Sequence, residues 1–202
     1  MRPAGAVTAF FMRTLLWLLV ALALWFFVRD YAVLPTTWLA EYAMAGLFPR
    51  WVQGTEMQGT TQLLLTSLRI RSADGRVGDL VAQSNVLAYA YGLPLLVALL
   101  LGSRAKGLWW KLPAGFAALL PVQAWGVCFG WLSQVAVLAA AETSWQTRMG
   151  PVTQNLVAVG YQFGFLILPT LAPVLLWLAF DRRILAAAMI EGALAEGRHP
   201  KP

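Results

Sequence analysis

The sequence predicts a mainly α membrane protein: four transmembrane helices, with a small extracytoplasmic α+β insertion (an amphipathic helix plus a short antiparallel sheet) between helices one and two. Three observations predict it. Hydrophobic residues make up 59% of the chain and charged residues 12%, against about 45–50% and about 25% in soluble domains. The apolar excess is gathered in four blocks, each near the roughly 20 residues that cross a bilayer. Between the first and second blocks the pattern turns helical and then alternating. The whole chain, 1–202, reads as a single membrane domain.

The first block is residues 8–28, TAFFMRTLLWLLVALALWFFV. Arg13 interrupts it near its start, where a long side chain snorkels to the headgroups. A cleaved leader is the alternative, since the start is basic and Ala21-Leu22-Ala23 resembles a cleavage site. The run continues through LWFFV beyond that site, which suits an anchor better.

Residues 29–85 form the insertion. Trp38, Leu39, Tyr42, Ala43, Ala45 and Leu47 recur at helical spacing over about 35–48, with Pro35 in the first turn and Pro49 at the end. Trp38, Tyr42, Phe48 and Trp51 are expected to lay this helix on the bilayer surface. Over about 51–84, alternating β-branched positions flank Ala73-Asp74-Gly75, a turn signal. Thr55 to Gln58 adds a further candidate strand, so a sheet of two to four strands is expected.

The remaining blocks are residues 86–102, Leu112 to about Ala141, and Val152 to Phe180. The last two exceed the minimum length, which predicts tilt or protrusion into water. The tail, 181–202, is expected to begin helical, fray at Gly197 and rest on the inner leaflet.

Charge orients the chain. In a four-crossing arrangement one side carries Arg2, Arg13, Arg104, Lys106, Lys111, Arg182, Arg183, Arg198 and Lys201 against Asp181, Glu191 and Glu196, a net +6. The other side carries six basic and six acidic residues and is neutral. The positive-inside rule therefore puts both termini in the cytoplasm. Membrane topology, not nucleic acid, accounts for a pI near 10.0.

Polar groups inside the third block share a helix face. Gln123, Gly126, Gly130 and Gln134 are three or four residues apart. Gly160, Gln162 and Gly164 repeat the device in the fourth block. Small residues let backbones approach, and amides bond across helices, which is how helices associate in lipid. These seven residues are the expected helix–helix or partner interface. The bland alternative is that the glycines only relax local packing. Pro94, Pro121, Pro169 and Pro173 lie in the blocks, as they do in transporters. No Asp, Glu, Lys or Arg lies at the centre of any block, and ion-coupled transport usually needs one.

Chemistry has little to work with. The only cysteine, Cys128, falls mid-membrane, and the only histidine, His199, falls in the tail. A thiol or serine nucleophile needs a base beside it. No His or carboxylate cluster offers a metal site. Asp74 and Asp79 read as solvated turn residues and Cys128 as a small packing residue. The expectation is no catalytic residue, no metal and no cofactor.

Three stretches taken in order carry a resemblance: NVLAYAYGLPLLVALLL (85–101), LLPVQAWGVCFGWL (119–132) and GYQFGFLILPTLAPVLLWL (160–178). They resemble the exosortase H-associated membrane protein family. The resemblance implies a multi-pass protein of the bacterial inner membrane that accompanies an exosortase, a membrane cysteine transpeptidase-like enzyme that processes proteins bearing C-terminal sorting signals. It implies as partners that enzyme, the sorting-signal helix of its substrate and membrane lipid. The expected role is a non-catalytic accessory subunit assisting assembly and recognition. In the segment joining sheet to second helix, Asn85, Tyr89 and Tyr91 offer hydrogen-bonding groups at the interface, where an ordinary aromatic belt is the alternative. Two competing readings stay open: a small transporter or channel component, and an intramembrane enzyme of unknown type.

Overall fold

The computed structural model describes residues 5–71 and 75–181. The tip of the Ala73-Asp74-Gly75 turn, the tail helix, His199 and the fraying at Gly197 lie outside the described residues. Among the described residues eight α-helices and three strands follow one another: α1 (Ala6–Ala32), α2 (Leu34–Leu47), β1 (Val52–Gln58), β2 (Thr61–Arg71), β3 (Val77–Asn85), α3 (Leu87–Ala90), α4 (Gly92–Gly102), α5 (Leu108–Ser133), α6 (Ala140–Thr147), α7 (Pro151–Gln162) and α8 (Leu168–Phe180). A π-type turn, Gln134–Leu138, extends α5, and another, Phe163–Ile167, joins α7 to α8.

Among the described residues three helices are long and apolar enough to cross a membrane: Val7–Ala32, Leu108–Leu138 and Pro151–Phe180. The predicted second crossing forms a shorter apolar helix, Leu87–Gly102. At 1.5 Å per residue it is about 24 Å long, below the roughly 30 Å hydrocarbon thickness. Its start is fixed by β3, which runs to Asn85, and Asn85 Oδ1 accepts the Leu87 N–H at 3.1 Å. It breaks at Tyr91, because Pro94 has no N–H to give the Ala90 carbonyl. Pro169 explains the π-type turn before α8 in the same way: it cannot donate to Phe165, and the turn absorbs the missing bond.

The helix predicted over about 35–48 is α2, and its aromatic residues Trp38 and Tyr42 lie on the face left exposed. Thr36, Thr37, Ala40 and Met44 are buried, while Trp38 and Tyr42 are 66% and 81% exposed. The expectation that Trp51 lies on the bilayer surface is corrected. It is buried in the core and packs on Phe48, ring centroids 5.0 Å apart. The sheet is antiparallel, in order β1-β2-β3. Gln58 and Thr61 close a two-residue hairpin, with Gly59 at φ 61° supplying the left-handed residue that such loops need.

Two hydrophobic clusters sit at opposite ends. One joins Met44, Trp51, Leu64, Ala82, Val86, Tyr89, Val127, Trp131 and Val135, so the sheet and α2 pack on the C-terminal half of α5. The other joins Phe10, Leu96, Leu100, Leu119 and Trp177 of α1, α4, α5 and α8. Phe10 stacks on Trp177 with centroids 5.0 Å apart, and a Cβ at Gly102 would fall on Thr14 of α1. Lys111 donates to the Phe180 carbonyl at 2.8 Å, tying the start of α5 to the end of α8.

Candidate functional site

The polar row of α5 meets four different partners. Gln123 is buried and its Oε1 accepts the Thr36 hydroxyl at 2.6 Å, which pins α2 to α5. Gly126 lies under the Tyr89 ring: a Cβ there would come within 2.2 Å of Tyr89 Cδ1. A Cβ at Gly130 would come within 2.8 Å of both the Tyr89 hydroxyl and Ser84 Oγ. Gln134 reaches the sheet. Its Oε1 accepts the Gln83 N–H at 3.0 Å, while its Nε2 donates to the Gln83 carbonyl and to the Gly130 carbonyl at 3.0 Å.

The row of α7 meets α5. Gly160 faces the Phe129 ring, and its carbonyl accepts the Trp125 indole N–H at 3.1 Å. A Cβ at Gly164 would lie 3.3 Å from the Gly126 Cα, so the two backbones approach closely there. The glycines of α5 therefore seat α3 and β3, while Gly160 of α7 and Gly164 of the π-type turn after it seat the Trp125–Phe129 stack of α5, whose centroids are 4.5 Å apart. Cys128 is buried with Sγ 3.7 Å from the Ala40 carbonyl. Among the described residues no group of three or more His, Cys, Asp or Glu converges as a metal site would require.

A cleft of about 680 Å³ opens where the sheet meets the helices. Gln83, Ser84 and Asn85 of β3 and Tyr89 of α3 form one wall. Ser133, Gln134, Tyr161 and Gln162 line the facing helices, beside apolar Val137, Leu138 and Phe165. Both π-type turns border it, and among the described residues no charged side chain does. Of the sequence-predicted residues it gathers Asn85, Tyr89, Gly130, Gln134 and Gln162. Gln123, Gly126, Gly160 and Gly164 lie in the packing between elements, and Tyr91 stands outside the cleft lining, 37% exposed.

Sequence reasoning missed Gln62, Gln83, Ser84, Ser133, Gln146 and Tyr161. Gln62 is buried on β2; its Nε2 donates to the Thr37 carbonyl at 3.2 Å, and its own carbonyl accepts the Trp131 indole N–H at 3.1 Å. A glutamine opening the apolar run QLLL was the available signal. Gln146 of α6 treats Arg69 as Gln134 treats Gln83, accepting the N–H at 2.9 Å and donating to the carbonyl at 2.8 Å. Asp79, expected as a solvated turn residue, lies on β3 with its carboxylate 3.9 Å from Arg69.

No curated protein and no solved structure is significantly similar to the chain. The family model described as exosortase H-associated membrane protein matches residues 4–184, from the first helix through the last, and covers all three stretches that carry the resemblance. The chain therefore belongs to the exosortase H-associated membrane protein family.

Proposed function

We propose that this protein is a non-catalytic inner-membrane accessory subunit of an exosortase H-type sorting system. In that role it helps assemble the enzyme and present proteins with C-terminal sorting signals. The observation that carries the reading is how its polar groups are used. Gln123, Gln134, Trp125 and Trp131 spend their hydrogen bonds holding α2, α7 and the sheet on α5. The one thiol faces a carbonyl and not a base. Such a protein offers a rigid platform rather than a nucleophile.

The proposal includes four crossings, with Leu87–Gly102 as the second. Gly102 beside Thr14, Phe10 on Trp177 and Lys111 on Phe180 support it, because they put the ends of α1, α4, α5 and α8 at one level. That level carries Arg13, Arg104, Lys106 and Lys111, which suits the cytoplasmic side. The sheet then lies outside, and the short second helix is accommodated by its shelter between α1 and α8 rather than by lipid.

Co-expression with an exosortase H and affinity purification in mild detergent test the role. Elution of the two chains at a fixed ratio is expected. If the chain elutes alone while the enzyme is intact and present, the proposal is wrong. Leucine replacements at Gly126 and Gly130 are a poor probe of that contact, because both positions are filled from within the chain.

A further inference from the structure

The geometry points to the outer edge of β3 as a strand-docking site for an uncharged, extended segment of a membrane-anchored polypeptide. The pairing of Gln83 with Leu63 leaves the Gln83 N–H and carbonyl facing away from β2, since both bond the Gln134 side chain. Antiparallel ladders alternate, so Val81 and Asn85 also turn their N–H and carbonyl groups outward. A primary amide is chemically half a peptide group. Gln134 thus already occupies one peptide position of a missing fourth strand, and an incoming strand takes that place.

The far side of β2 is treated differently. There Gln146 covers Arg69, and Glu142 accepts the Arg71 N–H, so α6 closes that edge at two successive positions. Of Val81, Gln83 and Asn85 on β3, only Gln83 is capped in this way among the described residues, and an edge left open so is a template for another chain.

The cleft beside that edge selects the occupant. Among the described residues its lining has amides and hydroxyls but no charge, which matches a neutral peptide and offers a phosphate headgroup no cation there. Val137, Leu138, Ala158 and Phe165 continue it along the helices, where an apolar helix following the extended segment would run. The inference does not depend on the exosortase reading, and its test contains no exosortase.

The test uses the full chain in nanodiscs and a synthetic probe: an uncharged extended segment joined to a leucine–alanine transmembrane helix. Binding is read by fluorescence anisotropy and by amide exchange at Val81 and Asn85. Bound probe should slow exchange at both amides. A probe with alternate backbone nitrogens methylated should bind at least about tenfold more weakly, the scale of one lost backbone hydrogen bond. Val81→Pro removes an outward N–H, which edge strands tolerate, and should weaken binding similarly while the sheet stays folded. Equal binding of the methylated and parent probes overturns the proposal. So does equal protection of Val81 and Asn85 by lipid alone, which would mark the cleft as a lipid site.

Discussion

Thr36 of α2 donates its hydroxyl to Gln123 of α5 at 2.6 Å, across 87 positions of sequence and with both residues buried. This one bond fixes the rotation of α2 about its own axis. It explains why the aromatic side of α2 faces outward: Thr36, Thr37, Ala40 and Met44 form the buried side, with Thr36 and Ala40 against α5 and Thr37 against β2.

A double-mutant cycle of Thr36→Val and Gln123→Leu measures that bond. Hydrogen bonds between helices in membrane proteins average about 0.6 kcal/mol and reach about 1.7. A coupling energy near the upper end is expected, because neither partner meets water. Thermal unfolding in detergent of the four proteins supplies it. Additive single effects would mean the bond contributes nothing of its own.

Gly126→Ala should destabilise the protein by about 1–3 kcal/mol, the usual cost of overpacking. The added methyl meets three atoms of the Tyr89 ring within 2.8 Å, and that ring also packs edge-to-face with Phe165, centroids 6.1 Å apart. Tyr89→Ala in the same chain should remove the clash and cancel much of the loss. Gly46→Ala is the matched control. It has open space around it and sits in α2, so a slight gain from helix propensity is expected.

These two contacts show what the sequence could reveal. The spacing of Gln123, Gly126, Gly130 and Gln134 identifies a close-packed face, since period alone fixes which residues share a side. It says nothing about what fills the face, and here α2, α3 and β3 do. The long helices were legible for the same reason, from uninterrupted apolar length. For α2 the apolar spacing revealed the helix, but not that small residues and hydroxyls would make its packed side while Trp38 and Tyr42 stay outside, nor that Trp51 would be buried. The cleft was invisible because Gln83, Ser84, Tyr161 and Gln162 come from segments distant in sequence.

Gln146→Met should loosen the far edge of β2. It deletes both partners of the Arg69 peptide, and the bonds lie at the surface, so the global cost should be about 1 kcal/mol or less. The local effect should be larger. Amide exchange at Arg69 should accelerate while exchange at Leu64, buried in the core, stays unchanged. Equal acceleration at both would show that the glutamine supports the whole sheet rather than its edge.

Topology is decided by labelling single cysteines in a Cys128→Ala background. Cys128 packs in the core with a weak polar contact to the Ala40 carbonyl, so the background should cost about 1 kcal/mol and, under the proposed role, leave sorting in cells intact. A chain that lost sorting while folding normally would overturn the non-catalytic reading. On that background, cysteines at Val77, exposed on β3, and at Lys106, exposed in the link before α5, report the two sides. Four crossings predict that an impermeant maleimide added to intact spheroplasts labels position 77 and spares position 106 until the membrane is opened. If Leu87–Gly102 does not cross, the two positions lie on one side and label together. The short helix makes this the sharpest measurement available, because the break at Tyr91 and the stop at Gly102 leave it too short to cross by length alone.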